Sequence, residues 1–351
     1  MTAAPDHEIF MKRCIELARM GEGRVMPNPM VGAVLVHEGR IIGEGYHEWY
    51  GHAHAEVNCV KNVASVDRVL IPLATMYVSL EPCAHHGKTP PCADLIVNEK
   101  IPEVVIGCID TFSEVSGHGI KKMKAAGIQV ITGVLEQECR DLNRRFFTFH
   151  ERSRPYIILK WAQTADGYIG TLDRKAMKVS NSFTDRWVHR WRSQEAAILV
   201  GPKTAIEDNP SLNTRLWPGA SPIRIILDPF LGVPTTHNVF NNAVKTIVVT
   251  EKMGQEKGVE YWPIPFDEAL LPKLMEMLHG RNLQSILVEG GAKTLQQFID
   301  RGLWDEARVI ISKNAAGSGW RAPVLTGEPV LQEQVSLDAD NIYIYRNRRD
   351  Y

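Results

Sequence analysis

Three short fragments constrain this chain more than anything else in it: His54-Ala55-Glu56, Pro82-Cys83 and Pro91-Cys92. Any fold that uses them must bring three separated points of the chain to one place. An imidazole and two thiolates leave the fourth tetrahedral position of a zinc ion open, as a catalytic site requires; a structural site closes it with a fourth protein ligand. Glu56 is not needed to hold metal. Two residues past the histidine, it is placed to move protons between an activated water and a leaving group. Together the fragments read as hydrolytic deamination of a nucleobase-like ring.

Both cysteines follow a proline and each opens what reads as a helix, as in Cys92-Ala-Asp-Leu-Ile-Val-Asn-Glu. A helix N-terminus lowers a thiol pKa toward the ligating thiolate. His54 likewise stands at the start of an amphipathic run from Ala53 to Val63. The competing interpretation makes Cys83 and Cys92 ordinary buried thiols, since free cysteine packs like a small apolar residue. His52 is the rival imidazole, and the His-x-Glu spacing favours His54.

All six cysteines lie before residue 140, and nothing in the leading residues resembles a basic-then-apolar leader. The expectation is a reducing, cytoplasmic setting in which metal ligation rather than a disulfide framework uses Cys83 and Cys92. A formal charge of −1 argues against nucleic acid as partner, because polyanion binding needs a basic footprint. No apolar run reaches transmembrane length.

With 351 residues, 44% of them hydrophobic, the chain has room for two cored domains. Residues 1–150 alternate helix and strand. Asp6 caps a helix bearing Phe10, Cys14, Leu17 and Ala18, and a strand from Met30 to Val36 turns through His37-Glu-Gly-Arg40 into a second. Strand 75–80 leads to Glu81-Pro-Cys83, and a single helix spans 135–149. Glu151 to Pro155 reads as a short charged linker into residues 151–351, which start a fresh α/β pattern. In that half, strand 285–289, Gly290-Gly291 and a following helix form a turn that presents backbone N–H groups to an anion. A plain Gly-Gly turn reads equally well, and the absence of a GxGxxG pattern disfavours an ordinary Rossmann domain. The apolar terminal strand Ile342-Tyr-Ile-Tyr345 suits either an internal position or pairing between subunits of a homo-oligomer.

Asn28-Pro-Met-Val-Gly-Ala-Val-Leu-Val36, Ala53-His-Ala-Glu56 and Glu81-Pro-Cys-Ala-His-His-Gly-Lys-Thr-Pro-Pro-Cys92 resemble the bifunctional riboflavin-biosynthesis deaminase/reductases, the RibD family. Cytidine and tRNA-adenosine deaminases usually carry Pro-Cys-x-x-Cys; the longer gap here, with His85, Gly87, Lys88 and Thr89 inside it, is specific to this branch. The second half matches through Lys160-Trp-Ala-Gln-Thr-Ala-Asp-Gly167, Ile198-Leu-Val-Gly201, Asp208-Asn-Pro-Ser-Leu-Asn-Thr-Arg215 and Val288-Glu-Gly-Gly291.

The resemblance implies an N-terminal cytidine-deaminase-like α/β/α sandwich with a mixed sheet over 1–150, and a C-terminal dihydrofolate-reductase-like α/β domain over 151–351. It implies two steps on 2,5-diamino-6-ribosylamino-4(3H)-pyrimidinone 5′-phosphate: zinc-dependent removal of the ring amine, then NADPH-dependent reduction of ribosyl to ribityl. The alternative is a deaminase of another nucleobase or nucleotide whose second domain only binds a ligand. By the same carry-over, Asn28, His47, His85 and Lys88 line the deaminase pocket. Taken alone, Lys88 reads as a solvated loop lysine and Asn28 as a turn residue. Arg192, Leu212, Arg215 and Glu289 match substrate contacts of the reductase, with the arginine forks on the 5′-phosphate. Ala162, Thr204, Asp208 and the run Gly291, Ala292, Lys293, Thr294, Leu295, Gln296 and Gln297 match the nucleotide site. One stretch departs from the family. Lys178-Val179-Ser180 stands where an aromatic-Ile-Thr segment is usual, and Ala176 stands where a serine is. Lys178 replaces a stacking ring with a charge suited to a cofactor phosphate.

Overall fold

The computed structural model describes residues 6–85, 90–111, 116–172 and 177–348. The chain divides after Arg152 into two compact units.

Unit one contains α1 (His7–Arg19), β1 (Gly32–His37), β2 (Arg40–Tyr46), α2 (Ala55–Lys61), β3 (Thr75–Leu80), α3 (Cys92–Asn98), β4 (Glu103–Cys108), α4 (His118–Ala125), β5 (Gln129–Thr132), α5 (Glu136–Leu142) and α6 (Arg144–Arg152). Asp6 caps α1 as expected, its carboxylate accepting the Glu8 N–H at 3.2 Å. Glu38 and Gly39 both adopt positive φ, 49° and 77°, which matches the twist of a tight β1–β2 hairpin. The sheet order is β2-β1-β3-β4-β5, antiparallel up to β3 and parallel beyond it.

Side chains alternate across each strand, and both faces of the sheet are covered. Ala33 and Leu35 meet α2, α3 and α4 on one side; Val34 and Val36 meet α1, α5 and α6 on the other. That double coverage is why β1 reads as an unbroken apolar run. A Cβ on Gly45 would lie 2.2 Å from the Cys59 backbone nitrogen, so only glycine lets α2 rest directly on β2.

Two expectations fail here for one reason. Buried Asn143 bonds the backbone of Met30 with both ends of its amide, 2.8 Å to N–H and 2.8 Å to C=O. Met30 is thereby held outside the ladder, which starts at Gly32. Asn143 also interrupts the expected 135–149 helix, dividing it into α5 and α6. Because α6 runs through Arg152, the charged stretch read as a linker shortens to Ser153–Pro155.

Unit two contains β6 (Tyr156–Gln163), β7 (Tyr168–Gly170), α7 (Ser182–Ser193), β8 (Ala197–Val200), α8 (Pro202–Glu207), β9 (Ile223–Leu227), β10 (Thr246–Thr250), β11 (Val259–Pro263), α9 (Leu270–Gly280), β12 (Ser285–Gly290), α10 (Ala292–Asp300), β13 (Glu306–Ser312), β14 (Trp320–Arg321), β15 (Pro329–Leu337) and β16 (Asp340–Asn347). Its main sheet has the order β11-β10-β9-β8-β12-β6-β13-β16-β15. Strands β11 through β13 are parallel, and β16 and β15 are added antiparallel. Helices α9 and α10 pack on one face against Ile157, Leu199, Ile225 and Val288; α7 and α8 cover the other. Strand β16 lies between β13 and β15, so Ile342–Tyr345 takes the internal position. Among the described residues no helix is long and apolar enough to cross a membrane.

Candidate active sites

In unit one the three expected ligands converge. His54 is the N-cap of α2, and Cys92 is the first residue of α3 with Pro91 as its cap. Cys83 does not open a helix as expected: it lies in the loop after β3 and is held by the start of α3. Its Sγ accepts the Cys92 N–H at 3.4 Å, and its C=O accepts the Ala93 N–H at 3.1 Å. His54 turns Nδ1 toward both sulfurs, 3.6 Å from Cys83 and 3.3 Å from Cys92. All three donor atoms lie within 4.8 Å of one another.

These separations test whether a zinc ion fits. Zn–N and Zn–S bonds meeting at a tetrahedral angle put nitrogen and sulfur about 3.6 Å apart. The donor set is one nitrogen and two soft sulfurs, with the fourth position left to a non-protein group. Protonation points the same way. The Cys83 thiol is pushed down by its hydrogen bond with Cys92, helped by His54 and opposed by burial. Cys92 is pushed up by that same bond with Cys83 and by burial. The second sulfur thus resists ionising beside the first unless a cation balances both.

Glu56, in the first turn of α2, is only 3% exposed. Burial pushes its carboxyl above the usual range, Cys83 adds to the effect, and the charge of His54 opposes it. Next to the metal ligands, His47 donates from Nδ1 to the Ala53 C=O (3.0 Å) and accepts the Asn28 amide at Nε2 (3.2 Å). Burial lowers its pKa against the pull of the Ala53 bond, and the Asn28 amide likewise requires an unprotonated Nε2, so the ring is neutral. The His47 and His54 rings meet edge to face with centroids 5.3 Å apart. His85 has a buried Nδ1 with no partner among the described residues. Lys88 lies outside the described residues.

Sequence reasoning missed Glu81. Its buried carboxylate accepts the N–H groups of Gly117 (3.0 Å), Gly119 (3.1 Å) and Ile120 (3.3 Å), tying the residue before Pro82-Cys83 to the start of α4. A carboxylate directly preceding Pro-Cys was the available signal.

In unit two, Glu289 near the carboxyl end of β12 is gripped by Arg192 of α7 through Nε–Oε1 (2.8 Å) and Nη2–Oε2 (2.7 Å). Lys160 of β6 reaches the same carboxylate at 3.8 Å. Burial opposes ionisation of Glu289, but the charges of Arg192 and Lys160 prevail and hold it at about 2. Burial lowers the pKa of Lys160 in turn, against the pull of Glu289. Asn213 joins the two arginines, accepting Arg192 Nη1 at its C=O (3.3 Å) and Arg215 Nη1 at Oδ1 (3.2 Å). Leu212 is buried and left-handed, with φ 48°. Lys160 and Asn213 stood inside quoted motifs without an assigned role.

Several of the expected nucleotide residues lie where parallel strands hand over to helices, Thr204 in the first turn of α8 and Gly291 to Thr294 at the start of α10. Gly291 caps α10 with its own backbone and no side-chain bond, leaving the helix N–H groups open. A Cβ on Gly291 would lie 3.1 Å from Thr204 Oγ1, and one on Gly201 would lie 2.4 Å from Thr294 Oγ1. The starts of α8 and α10 thus approach closely, with the glycine backbones against Thr204 and Thr294, and the open N–H groups of α10 form a cradle that fits a dinucleotide's phosphates. Ala162 lies near the carboxyl end of β6. Asp208 is the C-cap of α8, its carboxyl pushed up by burial and then by Glu207. Lys178 is exposed, with Nζ 3.4 Å from Asp185, whose other oxygen accepts Ser180 Oγ at 2.7 Å. Ala176 lies outside the described residues.

A mixed sheet presenting His, Cys, Cys and a buried glutamate, followed by a mostly parallel sheet with a glycine cradle, defines a deaminase linked to a nucleotide-dependent reductase. Residues 4–108 match the cytidine and deoxycytidylate deaminase zinc-binding region, and residues 155–348 match the RibD C-terminal domain. The riboflavin biosynthesis protein RibD of Aquifex aeolicus is 40% identical over 318 residues, 88% of each chain. The Escherichia coli RibD is 32% identical, covering 90% of this chain and 89% of its own. A Thermotoga maritima diaminohydroxyphosphoribosylaminopyrimidine deaminase/5-amino-6-(5-phosphoribosylamino)uracil reductase superimposes with a TM-score of 0.89 at 36% identity, covering 97% and 98%. The chain belongs to the RibD family. It is a bifunctional enzyme of riboflavin biosynthesis, deaminase in its first half and reductase in its second, and uses Zn²⁺ and NADPH.

Proposed function

We propose that both halves act on one small molecule, 2,5-diamino-6-ribosylamino-4(3H)-pyrimidinone 5′-phosphate, in the order of the chain. The observation that carries the first step is the convergence of His54, Cys83 and Cys92 within 4.8 Å, beside a buried Glu56. Held by His54 Nδ1, Cys83 and Cys92, zinc supplies a Lewis acid that brings a water's pKa to about 7. Glu56, raised above the usual carboxyl range by burial, takes the proton of the attacking water and returns it to the departing amine. Asn28 and the neutral His47 form a fixed pair that holds the ring, and Nδ1 of His85, unpartnered among the described residues, is offered to the substrate. Lys88 keeps its proposed place in the same pocket by family resemblance.

For the second step, NADPH bound at the Thr204–Gly291 cradle supplies the hydride. Ala162, Asp208 and the run from Gly291 to Gln297 are the residues proposed to hold it. Leu212 and Glu289 face the substrate. Arg192, engaged by Glu289 through two bonds, orients that carboxylate. Arg215 is exposed and carries a lighter bond to Asn213, so we assign its fork to the 5′-phosphate. A cofactor phosphate on Lys178 would have to displace Asp185.

The near-neutral charge supports a small substrate rather than nucleic acid, and the six free thiols support a cytoplasmic setting. Any homo-oligomer forms through surfaces other than the edges of β16, which β13 and β15 occupy. A coupled assay tests the whole reading. The pyrimidine phosphate should release ammonia, and NADPH should be consumed only after that release. Ammonia without NADPH oxidation would select the alternative, a deaminase with a binding-only second half.

A further inference from the structure

Arg224, the second residue of β9, is 0% exposed, and no carboxylate pairs with it among the described residues. Burial lowers its pKa with nothing opposing, and its Nε and Nη2 have no hydrogen-bond partner among the described residues. A buried cation without a counter-charge is costly. An apolar side chain would suit the neighbouring Ile198 and Ile226 better. Stability therefore does not account for this arginine.

What it holds is a turn. Nη1 donates to the C=O of Asn238 (3.3 Å), the C=O of Val239 (3.2 Å) and Oδ1 of Asn241 (3.0 Å). These residues form and close a 3₁₀ turn, Asn238–Phe240, in the connection from β9 to β10. Thr246, opposite Arg224 on β10, adds its Oγ1 to the Val239 C=O at 2.7 Å. The turn grips the loop after α8 in the same way. Asn238 donates its backbone N–H to Asn209 Oδ1 (2.7 Å) and its amide to the Asn209 C=O (2.9 Å). Buried Val239 belongs to one apolar cluster with Leu212. Asn209 and Leu212 both have left-handed backbones, φ 41° and 48°. Asparagine tolerates that region, but leucine is strained in it, and the proline after Asn209 narrows the choice further. Such strain persists only where the surroundings over-determine it. The loop held this way is the one that carries Leu212 and Arg215.

We propose that Arg224 and Asn238 are positioning residues of the reductase: without touching substrate, they hold Asn209 to Leu212 in the strained course that presents Leu212 and Arg215 to it. The assignment rests on the reductase reading and extends it to two residues that no sequence motif indicated. A preset loop spares the substrate the cost of ordering it, so its release should raise KM and leave kcat alone.

NADPH oxidation by the full chain on the deaminated pyrimidine, at saturating NADPH, tests this. Asn238 is exposed, so N238A leaves the core intact. KM for the pyrimidine should rise about tenfold, the scale of one or two net hydrogen bonds, with kcat and ammonia release unchanged. N209A and N209A/N238A should show the same rise rather than its square, because the two asparagines act as one clamp. R224M should raise KM likewise at an undiminished thermal midpoint, since methionine fills the place without a stranded charge. The asparagine cycle decides the matter even where R224M fails to fold. An unchanged KM in N238A, additive effects in the double variant, or a lowered kcat at constant KM overturns the assignment. R224M with a lowered midpoint and an unchanged KM overturns the arginine's part in it. No NADPH oxidation by the unsubstituted chain overturns instead the reductase reading beneath it.

Discussion

Arg192 and Glu289 meet as a closed fork, two parallel N–H···O bonds of 2.8 and 2.7 Å between side chains 12% and 6% exposed. A bidentate pair this dry fixes the carboxylate's orientation as well as its charge. Replacing Arg192 by Met would leave Glu289 buried with only Lys160 at 3.8 Å. We expect such a loss to destabilise unit two by roughly 3–5 kcal/mol, the cost of stranding one member of a buried pair. Urea unfolding of R192M measures it. A loss below about 1 kcal/mol would place the pair among weak, solvent-screened bridges.

Glu56→Gln keeps the side chain's shape and removes its proton-carrying ability. Ammonia release should fall by about 10²–10⁴, the range ascribed to positioned general acid–base groups. Zinc content should stay at one per chain, because Glu56 is not among the three clustered donors. Metal analysis beside the ammonia assay separates the two roles. Loss of zinc in E56Q would make Glu56 a ligand.

Removing the metal should divide the two activities. Dialysis against a chelator, or Cys92→Ser, should abolish ammonia release. NADPH oxidation on already deaminated substrate should persist, since the ligands all lie in unit one and the cradle in unit two. Zinc added back to the dialysed protein should restore deamination. Parallel loss of both activities would contradict this independence.

The site was more legible than its support. His54, Cys83 and Cys92 could be named because zinc chemistry restricts which residue types can serve, whatever the fold. Strands buried on both faces, such as β1 and β9, were equally plain, since an unbroken apolar run has few other uses. What sequence hid was long-range polar bonding. Nothing local in Asn143 shows that its amide will hold Met30, yet that contact moved one strand boundary and broke one helix. The edge strand β15 is mostly exposed and polar, so it lacked the apolar signal by which the inner strands were found. Arg192 is expected at a phosphate because guanidinium forks suit phosphates; what the sequence did not show is that the same fork also grips a buried carboxylate, Glu289.

Glu81 shows how such hidden support acts on the metal site. Its carboxylate accepts three backbone N–H groups at 3.0–3.3 Å, so it anchors the residue before Pro82-Cys83 on α4. In Glu81→Gln an NH₂ group must face at least one of those donors. An unsatisfied buried group costs about 1–3 kcal/mol. Because the loop carries Cys83, zinc affinity should drop about 10–100-fold, as when outer-sphere partners of other metal sites are removed. Competition with a chromophoric chelator reads the affinity. Unchanged affinity with lowered thermal stability would confine Glu81 to folding.

His189 makes the second site acid-sensitive. Burial first, and then the charges of Arg192 and Arg215, push its pKa from the ordinary 6.5 down to about 4. The folded ring is therefore neutral, and its Nδ1 accepts the Arg215 backbone N–H at 3.1 Å. An unfolded chain takes up a proton on this histidine near pH 6.5, whereas the folded chain resists until about 4. Its contribution to stability is thus complete above pH 6.5 and shrinks as the pH falls toward 4. Protonated Nδ1 would confront the Arg215 N–H donor to donor, displacing the arginine we assign to the 5′-phosphate. Reductase KM should consequently rise below about pH 5, while His189→Gln, which keeps an acceptor and cannot titrate, should flatten that rise. Proton NMR of the His189 ring measures the midpoint directly. A value near 6.5 would show that the ring is solvated and its bond to Arg215 too weak to matter.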